Sequence, residues 1–102
     1  MGIDVQLVDE FGRVEESVGD PTNILHRLLP PADDPTAIHS AAIDWYGNTT
    51  FNYLQIPRFL DEWRAVENRA TTESERQLLS AIRGLAEQVL EQRHTYLKFL
   101  GD

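Results

Sequence analysis

Apolar residues recur at helical spacing through most of the second half of the chain, and this pattern limits the possible folds more than any other feature. The positions that show it are Phe59, Leu60, Trp63 and Val66, and then Leu78, Ile82, Leu85, Val89, Tyr96 and Leu100. In this half of the chain, one helix is predicted to begin near Pro57, because proline is favoured in the first turn of a helix. A second is predicted from Glu73 to about Phe99, because Thr72 and Glu75 have the spacing of a capping box at its start.

The beginning of the chain follows the two-residue period of a strand instead. Apolar and polar side chains alternate from Ile3 to Leu7, which is typical of a strand with one buried face. A tight turn that ends in Gly12 leads into a second apolar pair, so a β-hairpin is predicted. Pairing Leu7 with Val14, and Ile3 with Val18, would place all four apolar side chains on one face.

A short helix and a second hairpin are predicted between the first hairpin and the long helices. The dipeptide Asp20-Pro21 is typical of a helix start, and Pro30-Pro31 would end that helix. Its buried apolar stripe would consist of Ile24, Leu25, Leu28 and Leu29. Further on, a three-residue turn over 47–49 would pair Trp45 with Phe51. We favour that register because it keeps the large aromatic side chains on one face of the hairpin.

The predicted elements follow one another in the order β-β-α-β-β-α-α. We therefore expect an α+β fold in which residues 1–102 form a single domain. Its sheet would be small, four-stranded and mainly antiparallel, with the helices packed on one face. The long C-terminal helix would exceed what so small a sheet needs, so its end is a candidate homodimer interface. The residues of that interface would be Leu85, Val89, Tyr96 and Leu100.

Charge is distributed unevenly along the chain. Residues 1–50 carry nine acidic side chains against two arginines, whereas residues 51–102 are nearly balanced. A net charge of −8 argues against nucleic-acid binding, because phosphate contacts depend on Lys and Arg. The absence of cysteine excludes disulfides and thiolate sites. No stretch has the length and apolarity of a membrane span, and no secretion signal is recognisable, so we expect a cytoplasmic bacterial protein that does not enter membranes.

Few residues point to catalysis or metal binding. The three histidines lie on separate predicted elements, and the chain has no phosphate-binding loop, nucleophile motif or dinucleotide fingerprint. We therefore predict no catalytic residue and no cofactor. The alternative is a small metal-binding protein or hydrolytic enzyme, which would require the fold to bring together His39, Asp33, Asp34 and Asp44.

Segments at both ends of the chain resemble a group of small bacterial proteins of unassigned function. The segments are Gly2–Glu10, Gly19–Asn23 and Tyr96–Asp102. The resemblance extends over nearly the whole chain, and it implies no activity, cofactor or partner. In size and charge the chain is also similar to bacterial immunity proteins.

The function predicted first is a non-enzymatic protein-interaction module of the inhibitor or immunity type. Strand alternation predicts that acidic side chains from the two hairpins share one exposed sheet face, which would steer a basic protein partner towards it. The residues predicted to contact the partner are Asp4, Gln6, Glu15 and Ser17 from the first hairpin, and Asp44, Tyr46 and Asn52 from the second. A helix-mediated homodimer with a structural role is the remaining alternative.

Overall fold

The computed structural model describes residues 2–101 and has the predicted α+β fold. The strands are β1 (Asp4–Asp9), β2 (Val14–Val18), β3 (Asn48–Phe51) and β4 (Thr95–Leu100). The helices are α1 (Ile24–Leu28), α2 (Ile56–Glu67) and α3 (Glu73–Glu91), and a 3-10 turn covers Ser40–Ala42. The strands form one four-stranded antiparallel sheet in the order β2-β1-β4-β3, so the fold class is confirmed.

The long helix α3 forms, but it ends earlier than predicted. It stops at Glu91 rather than near Phe99. Gln92 already has an extended backbone, and His94 adopts a positive φ of 61°, which a helix cannot contain. The chain therefore leaves the helix and turns back along the sheet.

The residues predicted as the end of that helix form β4 instead. Alternate residues of β4 are buried, which is the two-residue period of a strand. Tyr96 and Leu100 misled the helix prediction, because residues four apart share a face in a helix and in a strand alike. β4 lies between β1 and β3, and main-chain hydrogen bonds on both sides hold it extended.

The second predicted hairpin is wrong. Trp45 does not pair with Phe51, because the chain over 44–47 is an irregular turn. β3 pairs with β4 instead, and Phe51 lies opposite Leu97. Upstream, the Glu62 carboxylate of α2 binds two main-chain N–H groups at the start of the 3-10 turn, so that segment is not available to a sheet.

The first hairpin forms where predicted, with a different register. The Gly12 N–H donates to the Asp9 carbonyl oxygen at 3.0 Å, and Gly12 has a φ of 80°, so the predicted turn is confirmed. A β-bulge shifts the pairing, and Leu7 lies opposite Glu16 rather than Val14. Val18, which was predicted to pair with Ile3, lies opposite Val5 instead. Glu16 lies on the same face of the sheet as Leu7, but its side chain stays exposed to solvent because β2 is the edge strand.

α1 begins later than the Asp20-Pro21 dipeptide predicts. The Asp20 side chain is buried, and its carboxylate accepts the main-chain N–H groups of Ile24 and Leu25, both at 2.8 Å. Asp20 therefore satisfies the free donors of the first turn from outside the helix. The predicted apolar stripe is confirmed, since its members are all buried: Ile24, Leu25, Leu28 and Leu29.

The helices cover one face of the sheet, and the core lies between the two layers. The strand residues that point into it are almost fully buried: Val5, Leu7, Phe51, Leu97 and Phe99. Trp63 of α2 lies among them, with its ring stacked 5.0 Å from Phe59. Its indole N–H donates to the Leu79 carbonyl oxygen of α3 at 3.1 Å, so the largest core side chain has its polar atom satisfied. Over residues 2–101, no helix combines the length and apolarity needed to cross a membrane.

Candidate interaction surface

The open face of the sheet, on the side away from the helices, is mixed in charge. Its central row crosses all four strands and consists of Ser17, Gln6, Lys98 and Thr50. The next row consists of Asp4, Leu100 and Asn48. Asp4 and Lys98 are the charged side chains of these two rows, one of each sign, and they form no ion pair with each other, so the centre of this face is not acidic.

The sheet brings together part of the predicted contact set. Three members share the open face: Asp4, Gln6 and Ser17. Glu15 adjoins them at the bulge of β2. The other three come from the segments on either side of β3 and lie outside the sheet: Asp44, Tyr46 and Asn52. The Asn52 side-chain oxygen is already bonded to two main-chain N–H groups just before α2. The seven residues therefore do not share one sheet face, because the second hairpin does not form.

The turn of residues 44–47, which we call the aromatic loop, is fixed to the sheet by short hydrogen bonds. The Asp44 N–H donates to Thr49 Oγ1 at 2.9 Å, and the Tyr46 N–H donates to Asp44 Oδ1 at 2.8 Å. Gly101, just after β4, donates its N–H to the carbonyl oxygen of the last loop residue at 2.7 Å. A Cβ at Gly101 would lie 2.5 Å from main-chain atoms of the loop, so this close approach requires glycine.

Two aromatic side chains of the aromatic loop are accessible to solvent. Tyr46 is 81% exposed and Trp45 is 37% exposed. The Trp45 ring lies 4.6 Å from the ring of His26 on α1, which supports it from one side. Asp4 lies at the same end of the sheet, because it pairs with Leu100 next to the loop contact. Accessible tyrosine and tryptophan on a fixed segment are typical of residues that contribute strongly to protein interfaces.

Several carboxylates near the edge of the sheet have no neutralising partner. β2 is an edge strand, and four of its five residues are exposed. Within residues 2–101, no ion pair involves Glu15, Glu16, Asp4 or Asp44. Unpaired charges of one sign produce a field that extends beyond the contact distance and attracts the opposite charge.

His39 belongs to a half-buried cluster with Glu62 of α2. The Glu62 carboxylate lies 3.0 Å from Nδ1 of His39 and accepts the Ser40 hydroxyl at 3.2 Å. Burial acts to raise the pKa of Glu62, but the hydrogen bonds from the His39 ring and from the Ser40 and His39 N–H groups lower it below its ordinary value. The carboxylate lies between the hydroxyl and the imidazole, whereas activation of a serine requires the imidazole in that place. The cluster anchors the 3-10 turn to α2.

The other residues of the metal-binding alternative do not gather around His39. The Asp34 carboxylate accepts the N–H and the hydroxyl of Thr36 at 2.9 and 2.7 Å. Asp44 is bonded within the aromatic loop, and Asp33 is exposed. In the described part of the chain, no three His, Asp or Glu side chains are placed to hold a metal ion.

The residues predicted to mediate a helical homodimer lie on different surfaces. Leu85 and Val89 belong to α3 and are buried in the core. Tyr96 and Leu100 belong to β4 and point to the open face. The prediction of one interface along a single helix is therefore wrong, because that helix ends at Glu91.

A shallow cleft of about 330 Å³ lies at the C-terminal end of α3. Its lining residues are Tyr53, Val89, Leu90, Gln92, Arg93 and His94. These residues include no carboxylate and no serine or threonine, and the titratable side chains among them are Tyr53, Arg93 and His94.

Three residues that shape this side of the molecule were missed by sequence reasoning: Lys98, Glu62 and Gly101. The strand that carries Lys98 has a partial signal in its sequence, since three of its six residues are aromatic or β-branched: Thr95, Tyr96 and Phe99. Glu62 and Gly101 have no such signal, because their partners are distant in the sequence.

Comparison of this chain with protein-family models, curated proteins and solved structures gave no match. The resemblance to small bacterial proteins of unassigned function therefore stays a prediction.

Proposed function

We propose that this chain is a non-enzymatic interaction module of the inhibitor or immunity type that binds a basic protein partner. Binding would use the acidic edge, which we define as β2 together with Asp4 of β1. The proposal places the protein in the cytoplasm of a bacterial cell. The observation that carries it is an exposed edge strand whose carboxylates have no ion-pair partner within residues 2–101.

The acidic edge offers two kinds of contact to an extended basic segment. The outer main-chain groups of an edge strand are unpaired by the sheet and are able to pair with an added strand. Glu15, Glu16 and Asp4 would attract lysine and arginine side chains, and this attraction would weaken as salt increases. Acidic side chains on an edge also oppose pairing between two copies of the same chain, which favours a basic partner over self-association.

The proposal is tested by neutralising the acidic edge while leaving the core intact. The double variant Glu15→Gln/Glu16→Gln removes two negative charges from β2. The matched control Asp61→Asn/Glu87→Gln removes the same charge from exposed positions of α2 and α3. Each protein captures partners from a lysate of the source cell at low and high salt, and the captured proteins are then purified and titrated.

We expect the Glu15→Gln/Glu16→Gln variant to bind the purified basic partner about two- to thirtyfold more weakly, because it loses two charge contacts. The control variant should bind like the native protein. Equal affinity of the native protein and the β2 variant, with circular dichroism showing an intact fold, contradicts the proposal. An affinity that does not fall with salt contradicts it as well.

A further inference from the structure

Tyr46 combines a highly exposed side chain with a firmly held backbone. It is the most exposed aromatic side chain of residues 2–101. Its N–H is bonded to Asp44 Oδ1 at 2.8 Å, and the next residue accepts the N–H of Gly101 at 2.7 Å. An aromatic side chain on a fixed backbone loses little conformational freedom when it binds, so its contacts contribute efficiently to affinity.

A carboxylate oxygen is available in the same loop, on Asp44, two residues before Tyr46. Oδ1 of Asp44 is occupied by the Tyr46 N–H, whereas Oδ2 has no hydrogen-bond partner within residues 2–101. A Cβ at Gly47 would lie 2.7 Å from Oδ2, so glycine leaves space for the carboxylate at this place. The aromatic loop therefore presents an aromatic face and an anionic acceptor within three consecutive residues.

We infer that the aromatic loop is the subsite for an arginine side chain of the basic partner. Its guanidinium would lie over the Tyr46 ring and donate to Oδ2 of Asp44, while Trp45, backed by His26, would form the second wall. Arginine fits better than lysine, because a planar guanidinium can stack on a ring and donate hydrogen bonds together. The inference rests on the proposed function, since the partner supplies the arginine, but it involves residues outside the acidic edge.

The test uses the whole chain and three synthetic peptides: hexa-arginine, hexalysine and hexacitrulline. Citrulline keeps the shape of arginine and lacks its charge. Each peptide is titrated into isotopically labelled protein, and NMR amide shifts give both the dissociation constant and the residues contacted. The variants are Tyr46→Leu, Tyr46→Phe and Asp44→Asn. Tyr53→Leu is the matched control, because Tyr53 is also exposed, at 61%, on a different part of the surface.

We expect hexa-arginine to bind more tightly than hexalysine and to shift the amide signals of the aromatic loop. Tyr46→Leu should weaken hexa-arginine binding about two- to fivefold, because it removes the aromatic face. Asp44→Asn should weaken it as well, because it removes the anionic acceptor. Tyr46→Phe keeps the ring and should bind like the native protein, as should Tyr53→Leu.

Unchanged hexa-arginine affinity in Tyr46→Leu overturns the inference, and so does hexacitrulline binding as tight as that of hexa-arginine. Concentration-dependent shifts at the loop without peptide also overturn it, because they indicate a second copy of the chain as the occupant. Failure of the proposed function is distinguishable. In that case Glu15→Gln/Glu16→Gln leaves the affinity for the purified partner unchanged, while Tyr46→Leu still weakens hexa-arginine binding.

Discussion

At the scale of single residues, Glu75 links three parts of the chain through one carboxylate. The N–H groups of Thr71 and Thr72 donate to it at 2.7 and 3.2 Å, and Arg27 of α1 donates to it at 3.0 Å. The Thr72 hydroxyl in turn accepts the Glu75 N–H at 3.2 Å, so the predicted capping box is confirmed. The hydrogen bond from the Thr71 N–H, followed by that from Arg27, lowers the pKa of Glu75 from 4.5 to about 2.

This lowered pKa predicts how Glu75 affects stability as pH changes. A carboxyl group whose pKa is lower in the folded state stabilises the protein above its unfolded-state pKa and loses that effect as pH falls through the folded-state pKa. The native protein should therefore exceed Glu75→Gln in free energy of unfolding above pH 4.5, and the difference should shrink between pH 4.5 and pH 2. Urea denaturation at a series of pH values measures both proteins. A difference that stays constant over this range contradicts the assignment.

At the scale of secondary-structure elements, two glycines occupy opposite environments. Gly84 lies inside α3, and a Cβ there would meet no atom within 4 Å. Gly101 lies against the aromatic loop, where a Cβ would come within 2.5 Å of main-chain atoms. At position 84 a larger residue would fit, and glycine only adds conformational freedom to the helix. At position 101 the close approach of two main-chain segments requires glycine.

Alanine substitutions at these two positions should have opposite effects. Gly84→Ala should raise the free energy of unfolding by about 0.5–1 kcal/mol, because alanine is the better helix former and fits without contact. Gly101→Ala should lower it by about 1–3 kcal/mol, because the loop main chain has to move. Urea midpoints measure both changes. Destabilisation by Gly84→Ala would contradict the open space around position 84.

At the scale of the whole molecule, charged side chains of the helices form ion pairs, whereas several carboxylates of the sheet do not. In the helical half, Arg83 of α3 forms a salt bridge to Glu67 of α2 at 2.8 Å, and Arg76 pairs with Glu73 at 3.6 Å. At the sheet edge, by contrast, the carboxylates of β2 have no such partner within residues 2–101. Four of the nine acidic side chains of the first half, Asp4, Glu15, Glu16 and Asp44, lie along one edge and one end of the sheet without such a partner, which is why the proposed partner is basic.

The central place of β4 predicts that two neighbouring residues differ sharply in their effect on stability. Phe99 is fully buried in the core, whereas Leu100 is half-buried on the open face. Phe99→Ala should cost about 3–5 kcal/mol, a large part of the 5–15 kcal/mol typical of a domain. Leu100→Ala should cost less than about 1.5 kcal/mol, because less apolar surface leaves contact. Similar small losses at both positions, measured by urea denaturation, would instead fit a projecting helix.

The sequence by itself determined the elements whose contacts are local. The turn that ends in Gly12, the apolar stripe of α1 and the capping box at Thr72 all rest on residues within a few positions of one another. Such patterns remain valid whatever the rest of the chain does. For the same reason, the fold class and the number of strands could be predicted, although one strand was placed in the wrong segment.

Only the tertiary structure decided which segments pair and which side chains meet. Residues 95–100 become a strand because β1 and β3 bond them on both sides, and the β1 partners come from the opposite end of the chain. The aromatic loop takes its place from Gly101, and the register of β2 depends on a bulge that no local pattern indicates. Asp4 and Asp44 were predicted to share one exposed sheet face, but Asp44 lies in the aromatic loop outside the sheet. They lie at the same end of the sheet, because long-range pairing rather than local periodicity positions them.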